Sequence, residues 1–158
     1  MQPKHSGYPV DPSFRKQALN QSVRIEALGR VSLFKGLSKR NLIRIDQLAV
    51  VRTAHKGEIV MKQGDPGNEM MVVLQGRASV SRGRRKLGEV TAGQCFGEMA
   101  LLDDQPRSAT VVAQEPMRML AIPGSAFRKL LTKVPPLTET LLSSLSTRLR
   151  EANAALDL

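Results

Sequence analysis

Two charged residues nine positions apart, Glu98 and Arg107, are the strongest candidates for binding chemistry in this sequence. The guanidinium of an arginine presents a planar pair of donors that matches two oxygens of a phosphate group. The carboxylate of a glutamate repels phosphate, but it accepts hydrogen bonds from the hydroxyl groups of a sugar. Together the two side chains predict a site for a ribose phosphate.

The residues around the glutamate support an anion site. Glu98 follows Phe96 and Gly97 and precedes Met99 and Ala100, a segment in which we predict a short helical turn. Backbone N–H groups at the start of a helix favour an anion, and glycine lets a ligand approach the main chain closely. We therefore take all five residues as candidate ligand-binding residues.

Both charged residues also have a purely structural interpretation. Glu98 could cap its own helical turn, and Arg107 could form a buried ion pair with Asp103 or Asp104. Because both residues occur at this spacing, we favour the binding site. Nothing in the sequence marks the neighbouring Cys95 as a reactive thiolate, and we expect it to pack near the pocket.

The hydrophobic pattern places this segment inside a small antiparallel roll. We predict a flexible arm over residues 1–10 and a helical lead-in over residues 11–56, with one helix over 14–28 and a second helix capped by Ser38. Short apolar segments separated by glycine-bearing turns then predict a β-roll over residues 57–124. The predicted strands are 58–63, 70–75, 78–82, 87–91, 111–114 and 117–122.

The helical pattern returns over residues 125–158. Pro135 and Pro136 divide this region into a short helix and a longer amphipathic helix from about Leu137 to Ala155. The predicted order is therefore helices, roll and helices in one domain.

Composition argues against several function classes. The 158 residues contain one cysteine, no apolar run of 18 residues and no signal peptide, so we expect a cytoplasmic protein without a disulfide or a transmembrane segment. Its two histidines, His5 and His55, are far apart, and no catalytic triad or metal-ligand spacing is evident. We therefore expect neither an enzyme nor a protein with a metal or a cofactor.

The net charge of +10 is concentrated in the N-terminal third, since residues 1–57 carry 11 basic and 3 acidic side chains. A solvated helical face accounts for this without any partner. The alternative is non-specific attraction to nucleic acid or to an anionic surface.

A series of motifs occurs in a fixed order through the C-terminal two-thirds of the chain. These motifs are Gly57-Glu58, Gly64-Asp65, Gly76, Gly93, Phe96-Gly97-Glu98-Met99-Ala100-Leu101 and Pro106-Arg107-Ser108-Ala109-Thr110. The region from residue 57 to about 155 thereby resembles the cyclic nucleotide-binding domain family, and residues 96–110 resemble its phosphate-binding cassette. The resemblance implies an α+β fold, in which an antiparallel β-roll (a jelly-roll-like, double-stranded β-helix) lies between N-terminal helices and two C-terminal helices.

The resemblance also implies roles for single residues. It assigns the cyclic phosphate to Arg107, with help from the Ser108 side chain and from the backbone N–H groups of Ala100 and Ala109. It assigns the ribose 2′-hydroxyl to Glu98, together with the backbone of the preceding glycine. These roles agree with the chemistry expected from the residue types alone.

The resemblance places the contacts to the base on the C-terminal helix. Arg148 matches an arginine that lies over the purine in bacterial channel-type domains, and also one that holds the ribose glutamate in bacterial cAMP-receptor transcription factors. Ala152 and Asn153 match a hydroxyl pair that reaches adenine, and because alanine has no hydroxyl, this contact would be lost or left to Asn153. Ser108 can hydrogen-bond a syn guanine, but relatives with Arg-Ser-Ala resemble cAMP binders, and we expect cAMP ahead of cGMP.

The expected function is that of a cyclic nucleotide sensor whose C-terminal helix closes over the ligand. An unidentified effector, or a second copy of the chain, would read the stripe of Leu142, Leu145 and Leu149. The chain ends at Leu158 without a helix-turn-helix after this helix, so we expect no specific DNA binding. The alternative is an interaction module of the same fold that no longer binds a ligand.

Overall fold

The structure, a computed structural model, describes residues 20–103 and 105–156, without the side chains of Met99 and Ala100. Within these residues it contains four α-helices and eight strands arranged in two four-stranded sheets. The order is two helices, the strands and two helices, so the predicted α+β roll is confirmed. The predicted arm over residues 1–10 lies outside the described residues.

The N-terminal helices are α1, Gln21–Arg30, and α2, Lys39–Leu48, joined by a 3-10 turn at Ser32–Phe34. Asn20 caps α1, since its Oδ1 accepts a hydrogen bond from the Ser22 N–H at 2.8 Å. The prediction of one helix over residues 14–28 is therefore wrong at residue 20, which is the extended N-cap of α1, and residues 14–19 lie outside the described part of the chain. Ser38 caps α2 as predicted, because its Oγ accepts a hydrogen bond from the Asn41 N–H at 3.2 Å.

The strands form two antiparallel four-stranded sheets. Their bounds are β1 Val50–Ala54, β2 Ile59–Met61, β3 Glu69–Gln75, β4 Arg77–Arg82, β5 Arg85–Thr91, β6 Cys95–Phe96, β7 Thr110–Ala113 and β8 Met117–Pro123. The strand orders in the two sheets are β1-β8-β3-β6 and β2-β7-β4-β5. The six predicted strands are confirmed, with ends that differ by at most two residues from those predicted.

Strand β1 lies inside the predicted helical lead-in of residues 11–56, so the roll begins at Val50 and not at residue 57. The strand pairs with β8 over its whole length, from Val50 opposite Ala121 to Ala54 opposite Met117. The periodicity of a short apolar segment that directly follows a helix does not show whether the segment is a strand or a continuation of the helix. Its partner is also about seventy positions away, which local sequence cannot show.

Two hydrophobic cores lie on opposite faces of the first sheet. In β3, Met70 and Val72 pack against the helices, whereas Met71 and Val73 face the interior of the roll. Because alternate residues of a strand point to opposite faces, a strand buried on both faces reads as a continuous apolar run. The tilted rings of Phe34 and Phe127, 5.9 Å apart, lie in the helical core.

Two helices follow the roll, α3 at Gly124–Lys133 and α4 at Pro135–Ala155. The predicted division at the two prolines is confirmed, since Pro135 occupies the first turn of α4 and only Val134 separates the helices. No helix in the described part of the chain is long and apolar enough to cross a membrane.

Candidate functional site

The segment with the predicted binding residues forms a tight corner between β6 and a 3-10 turn at Glu98–Leu101. Phe96 at the end of β6 is buried in the roll, and Gly97 turns the chain with a φ of 74°. That φ is in the left-handed region, where glycine is favoured. Met99 and Ala100 belong to the turn, but their side chains lie outside the description.

Glu98 contacts the last long helix of the fold. Its Oε1 accepts a hydrogen bond from Nη2 of Arg148 in α4 at 3.0 Å. Of the two roles that the resemblance implied for Arg148, this geometry matches the one on the glutamate. Both side chains are partly exposed, Arg148 at 40% and Glu98 at 24%, so the pair remains open to solvent.

Arg107 lies half-buried beside the corner, with its guanidinium close to Gly97. Its Nη2 donates a hydrogen bond to the main-chain oxygen of Glu69 at 2.8 Å. Among the carboxylates that the structure describes, none forms an ion pair with this guanidinium, so the alternative pair with Asp103 is not formed. Asp104 lies outside the described residues. Burial lowers the pKa of Arg107, and the nearby charge of Glu69 partly offsets this shift.

The two charged residues line one cavity of about 300 Å³. Gly97, Glu98, Arg107 and Ser108 are part of its wall, together with Met61 from β2. The volume lies at the lower end of the range for small-molecule sites. The structure therefore brings together a cation, a carboxylate and a glycine at one opening, as the chemistry of a ribose phosphate requires.

The residues after Arg107 are fixed by the roll. Ser108 is exposed, and its main-chain oxygen accepts a hydrogen bond from Nε of Arg82 at 2.9 Å. Ala109 is buried, and the hydroxyl oxygen of Thr110 accepts a hydrogen bond from the Gln63 N–H at 3.0 Å. Arg107 thus lies at the end of a loop, three residues before strand β7 begins at Thr110.

Asn153 is exposed near the end of α4, and its side chain forms no hydrogen bond with another described residue. A contact between Asn153 and the base therefore stays a prediction.

Cys95 packs beside the site as a neutral thiol. Burial, together with the charge of Glu98, raises its pKa to about 12, although Arg148 acts in the opposite direction. A thiol with this pKa is protonated at neutral pH and is a poor nucleophile.

A larger cavity of about 650 Å³ lies along another side of α4, against the turn at Ser32–Phe34. Its cations, Lys35 and Arg148, are accompanied by Glu139 and Glu151. Because the charges in this groove balance, it is a weaker candidate for a phosphate than the smaller cavity at Arg107.

Three residues near Arg107 were not singled out from the sequence. Arg52, Gly67 and Glu69 line a third cavity, of about 380 Å³, that also includes Arg107. Gly67 belongs to one of the glycine-bearing turns predicted between strands, and no local pattern connects Arg52 with Glu69. Their role depends on contacts that arise only in the folded chain.

Known proteins share both the sequence pattern and the fold. A family model described as cyclic nucleotide-binding domain matches residues 51–134. A cyclic nucleotide-gated potassium channel of Rhizobium etli is 32% identical over 73% of this chain and 32% of the channel. The cyclic AMP receptor protein of Thermus thermophilus is 33% identical over 80% of this chain and 61% of the receptor.

A solved structure agrees with these similarities. The N-terminal domain of a transcriptional regulator from Streptomyces coelicolor superposes with a TM-score of 0.76 at 28% identity, and the match covers 82% of this chain and 93% of that domain. The chain spans less than two-thirds of the channel and of the receptor. Because the family model covers more than half of the sequence and the fold agrees, the chain belongs to the cyclic nucleotide-binding domain family.

Proposed function

We propose that this chain is a regulatory module that binds a cyclic nucleotide, with cAMP preferred over cGMP, in the cavity between Glu98 and Arg107. The observation that carries the proposal is the pairing of these two residues at one opening of about 300 Å³. Family membership supports the class of ligand, and the two side chains support the way in which it is held.

Arg107 supplies the site for the cyclic phosphate. Its guanidinium is half-buried, and only a main-chain oxygen accepts its hydrogen bond among the described residues. The nearby charge of Glu69 offsets only part of the cost of burying this cation, so the pKa of Arg107 is still lowered. A phosphate would provide a direct negative charge through charge-assisted hydrogen bonds.

Glu98 supplies the site for the ribose. Arg148 occupies its Oε1, whereas Oε2 accepts no hydrogen bond from another described residue. The 2′-hydroxyl of a ribose can therefore donate to Oε2 while the contact with Arg148 is kept. A deoxyribose has no such donor.

Helix α4 would transmit the effect of ligand binding to a partner. Arg148 connects the cassette to this helix. A shift of Glu98 on ligand binding would therefore change a contact that holds α4 in position. Leu142 and Leu149 are 61% and 62% exposed and lie seven residues apart, on one side of the helix. We propose that an effector or a second copy of the chain reads this surface, as a two-state switch requires.

The preference for cAMP rests on Ser108 after Arg107 and on the similarity to a cyclic AMP receptor protein. Isothermal titration of the chain with cAMP and with cGMP tests both parts of the proposal. We expect both nucleotides to bind and cAMP to bind more tightly. Absence of binding for both would contradict the function, and tighter binding of cGMP would contradict the preference.

A further inference from the structure

One short segment of the chain, residues 64–69, holds Arg107 at three points. The Gly64 N–H donates to the main-chain oxygen of Arg107 at 2.9 Å, and the Arg107 N–H donates to the main-chain oxygen of Asp65 at 2.9 Å. The guanidinium itself donates to the main-chain oxygen of Glu69 at 2.8 Å. Both the backbone and the side chain of Arg107 are therefore positioned by the connection between β2 and β3.

The guanidinium of Arg107 lies between two glycines. A Cβ on Gly67 would overlap the guanidinium, with Nη2 2.7 Å away, and a Cβ on Gly97 would lie 2.7 Å from Nη1. Gly97 also needs glycine for its positive φ, whereas Gly67 has an ordinary φ. Gly67 therefore leaves room for the side chain of Arg107. Its backbone conformation does not by itself require glycine.

A charged pair fixes the position of Glu69. Arg52 of β1 donates through Nη2 to Oε1 of Glu69 at 3.2 Å, and the side chains are only 12% and 24% exposed. The pair joins strands that lie on either side of β8.

This pair has no evident role in packing. Arg52 lies opposite Met119, which faces the interior of the roll, and by alternation Glu69 shares a face with Met71. The Nε of Arg52 is buried without a hydrogen-bond partner among the described residues. A largely desolvated charged pair with an unsatisfied donor is a poor source of stability, which favours a role in positioning.

We propose that Arg52, Glu69 and Gly67 form a seat that orders the guanidinium of Arg107 before an anion arrives. Arg52 is then a positioning residue, because it acts on Arg107 through Glu69 and lies in the neighbouring cavity of about 380 Å³. Ordering the arginine in advance removes an entropic penalty from binding. That the ordered guanidinium serves a cyclic phosphate rests on the function proposed above.

The direct test is the Nε–Hε signal of Arg107 in ¹H–¹⁵N spectra of the ligand-free full chain, assigned by its loss in Arg107→Ala. We expect a resolved signal, distinct from those of the exposed arginines. Gly67→Ala displaces the flexible end of the side chain, so it should move this signal to the position typical of a mobile arginine with little change in Tm. Arg52→Gln should move the signal in the same direction.

Two variants serve as matched controls. Asn68→Ala changes the exposed neighbour of Gly67 and keeps the main-chain oxygen that accepts from Gly124. Arg77→Gln removes an arginine from surface pairs with Glu89 and Glu115. Both should leave the signal of Arg107 unchanged.

Titration with cAMP then measures the effect on binding. In Arg52→Gln, the Arg107 side chain should lose its order, and cAMP binding should weaken roughly three- to tenfold. In Gly67→Ala, the Arg107 side chain should be displaced, and binding should weaken at least that much. A wild type that binds neither nucleotide would contradict the proposed function, but the spectra would still decide the seat. The proposal of a seat would be overturned if the Arg107 signal in wild type has the position of a mobile arginine. It would also be overturned if the signal is unchanged in either Gly67→Ala or Arg52→Gln.

Discussion

Arg148 of helix α4 donates a hydrogen bond to Glu98 at 3.0 Å, across 50 positions of sequence. This contact connects the candidate ribose acceptor to the longest helix of the fold. Because the pair is partly exposed, it contributes at most about 1 kcal/mol to stability, but it is placed to transmit a movement.

Replacement of Arg148 should separate ligand binding from the response of α4. In Arg148→Ala, Glu98 keeps its carboxylate for the ribose, so we expect cAMP to bind with only a modest loss of affinity. Hydrogen exchange over residues 135–155 should slow on addition of cAMP in wild type and much less in the variant. Arg150→Ala, on an exposed position of the same helix, is the control and should respond as wild type does. An equal response in Arg148→Ala would show that the contact does not carry the signal.

The thiol of Cys95 should be unreactive in the folded protein. Its pKa is raised from 9.0 to about 12, so at pH 8 the thiolate is on the order of 10³-fold rarer than in an unfolded chain. Alkylation by iodoacetamide should therefore be far slower in native buffer than in urea.

The same shift in the Cys95 pKa has a consequence for stability. Because the folded pKa is raised, the protonated thiol supports the fold below about pH 9, and this support is lost as the pH rises towards 12. Denaturant unfolding of wild type and Cys95→Ala between pH 8 and 10.5 measures this contribution of the protonated thiol to the free energy of unfolding. Similar alkylation rates in native and unfolded protein would contradict the assignment.

The ion pair between the N-terminal helices should contribute strongly to stability. Arg24 donates to Asp46 through Nε at 2.7 Å and through Nη2 at 3.0 Å, and the Asp46 side chain is only 4% exposed. Asp46→Ala should lower the free energy of unfolding by about 2 kcal/mol, because it removes charge-assisted hydrogen bonds from a partly buried pair. Glu26→Ala, which breaks a pair that is more than 60% exposed, should change it by less than about 0.5 kcal/mol. Equal effects of the two variants in urea unfolding would contradict this distinction.

The exposed leucines of α4 should matter for association and not for folding. Leu142→Glu with Leu149→Glu changes two side chains that are more than 60% exposed, so we expect Tm to change by no more than a few degrees. Sedimentation velocity should show a concentration-dependent increase in mass for wild type and none for the double variant. If wild type stays monomeric at every concentration, a second copy of the chain does not bind this surface. An effector protein would then be the binding partner.

The sequence was sufficient for the features whose determinants are local. Gly97, Glu98 and Arg107 lie within one short segment, and the turns that separate the strands contain their own glycines. Strand β1 was missed because its identity depends on pairing with β8, far along the chain. The contacts of Arg107 with Gly67 and Glu69 were missed for the same reason, since three-dimensional proximity leaves no trace in the local pattern.

Arg148 is an intermediate case. The resemblance placed it near the ligand but left two roles open, one on the purine and one on the glutamate. The hydrogen bond to Glu98 shows which contact the helix makes in this structure. Asn153 has no such contact, because it lies exposed more than one helical turn further along α4.

Titration calorimetry of cAMP with wild type, Arg107→Ala and Arg84→Ala tests the central claim most directly. Arg84 is an exposed arginine at the tip of the hairpin between β4 and β5, so its removal controls for a general loss of positive charge. We predict one site in wild type, unchanged affinity in Arg84→Ala, and a loss of roughly ten- to a hundredfold or more in Arg107→Ala, because a charged hydrogen bond to the phosphate is removed. No binding by wild type, or equal affinities in wild type and Arg107→Ala, would contradict the account.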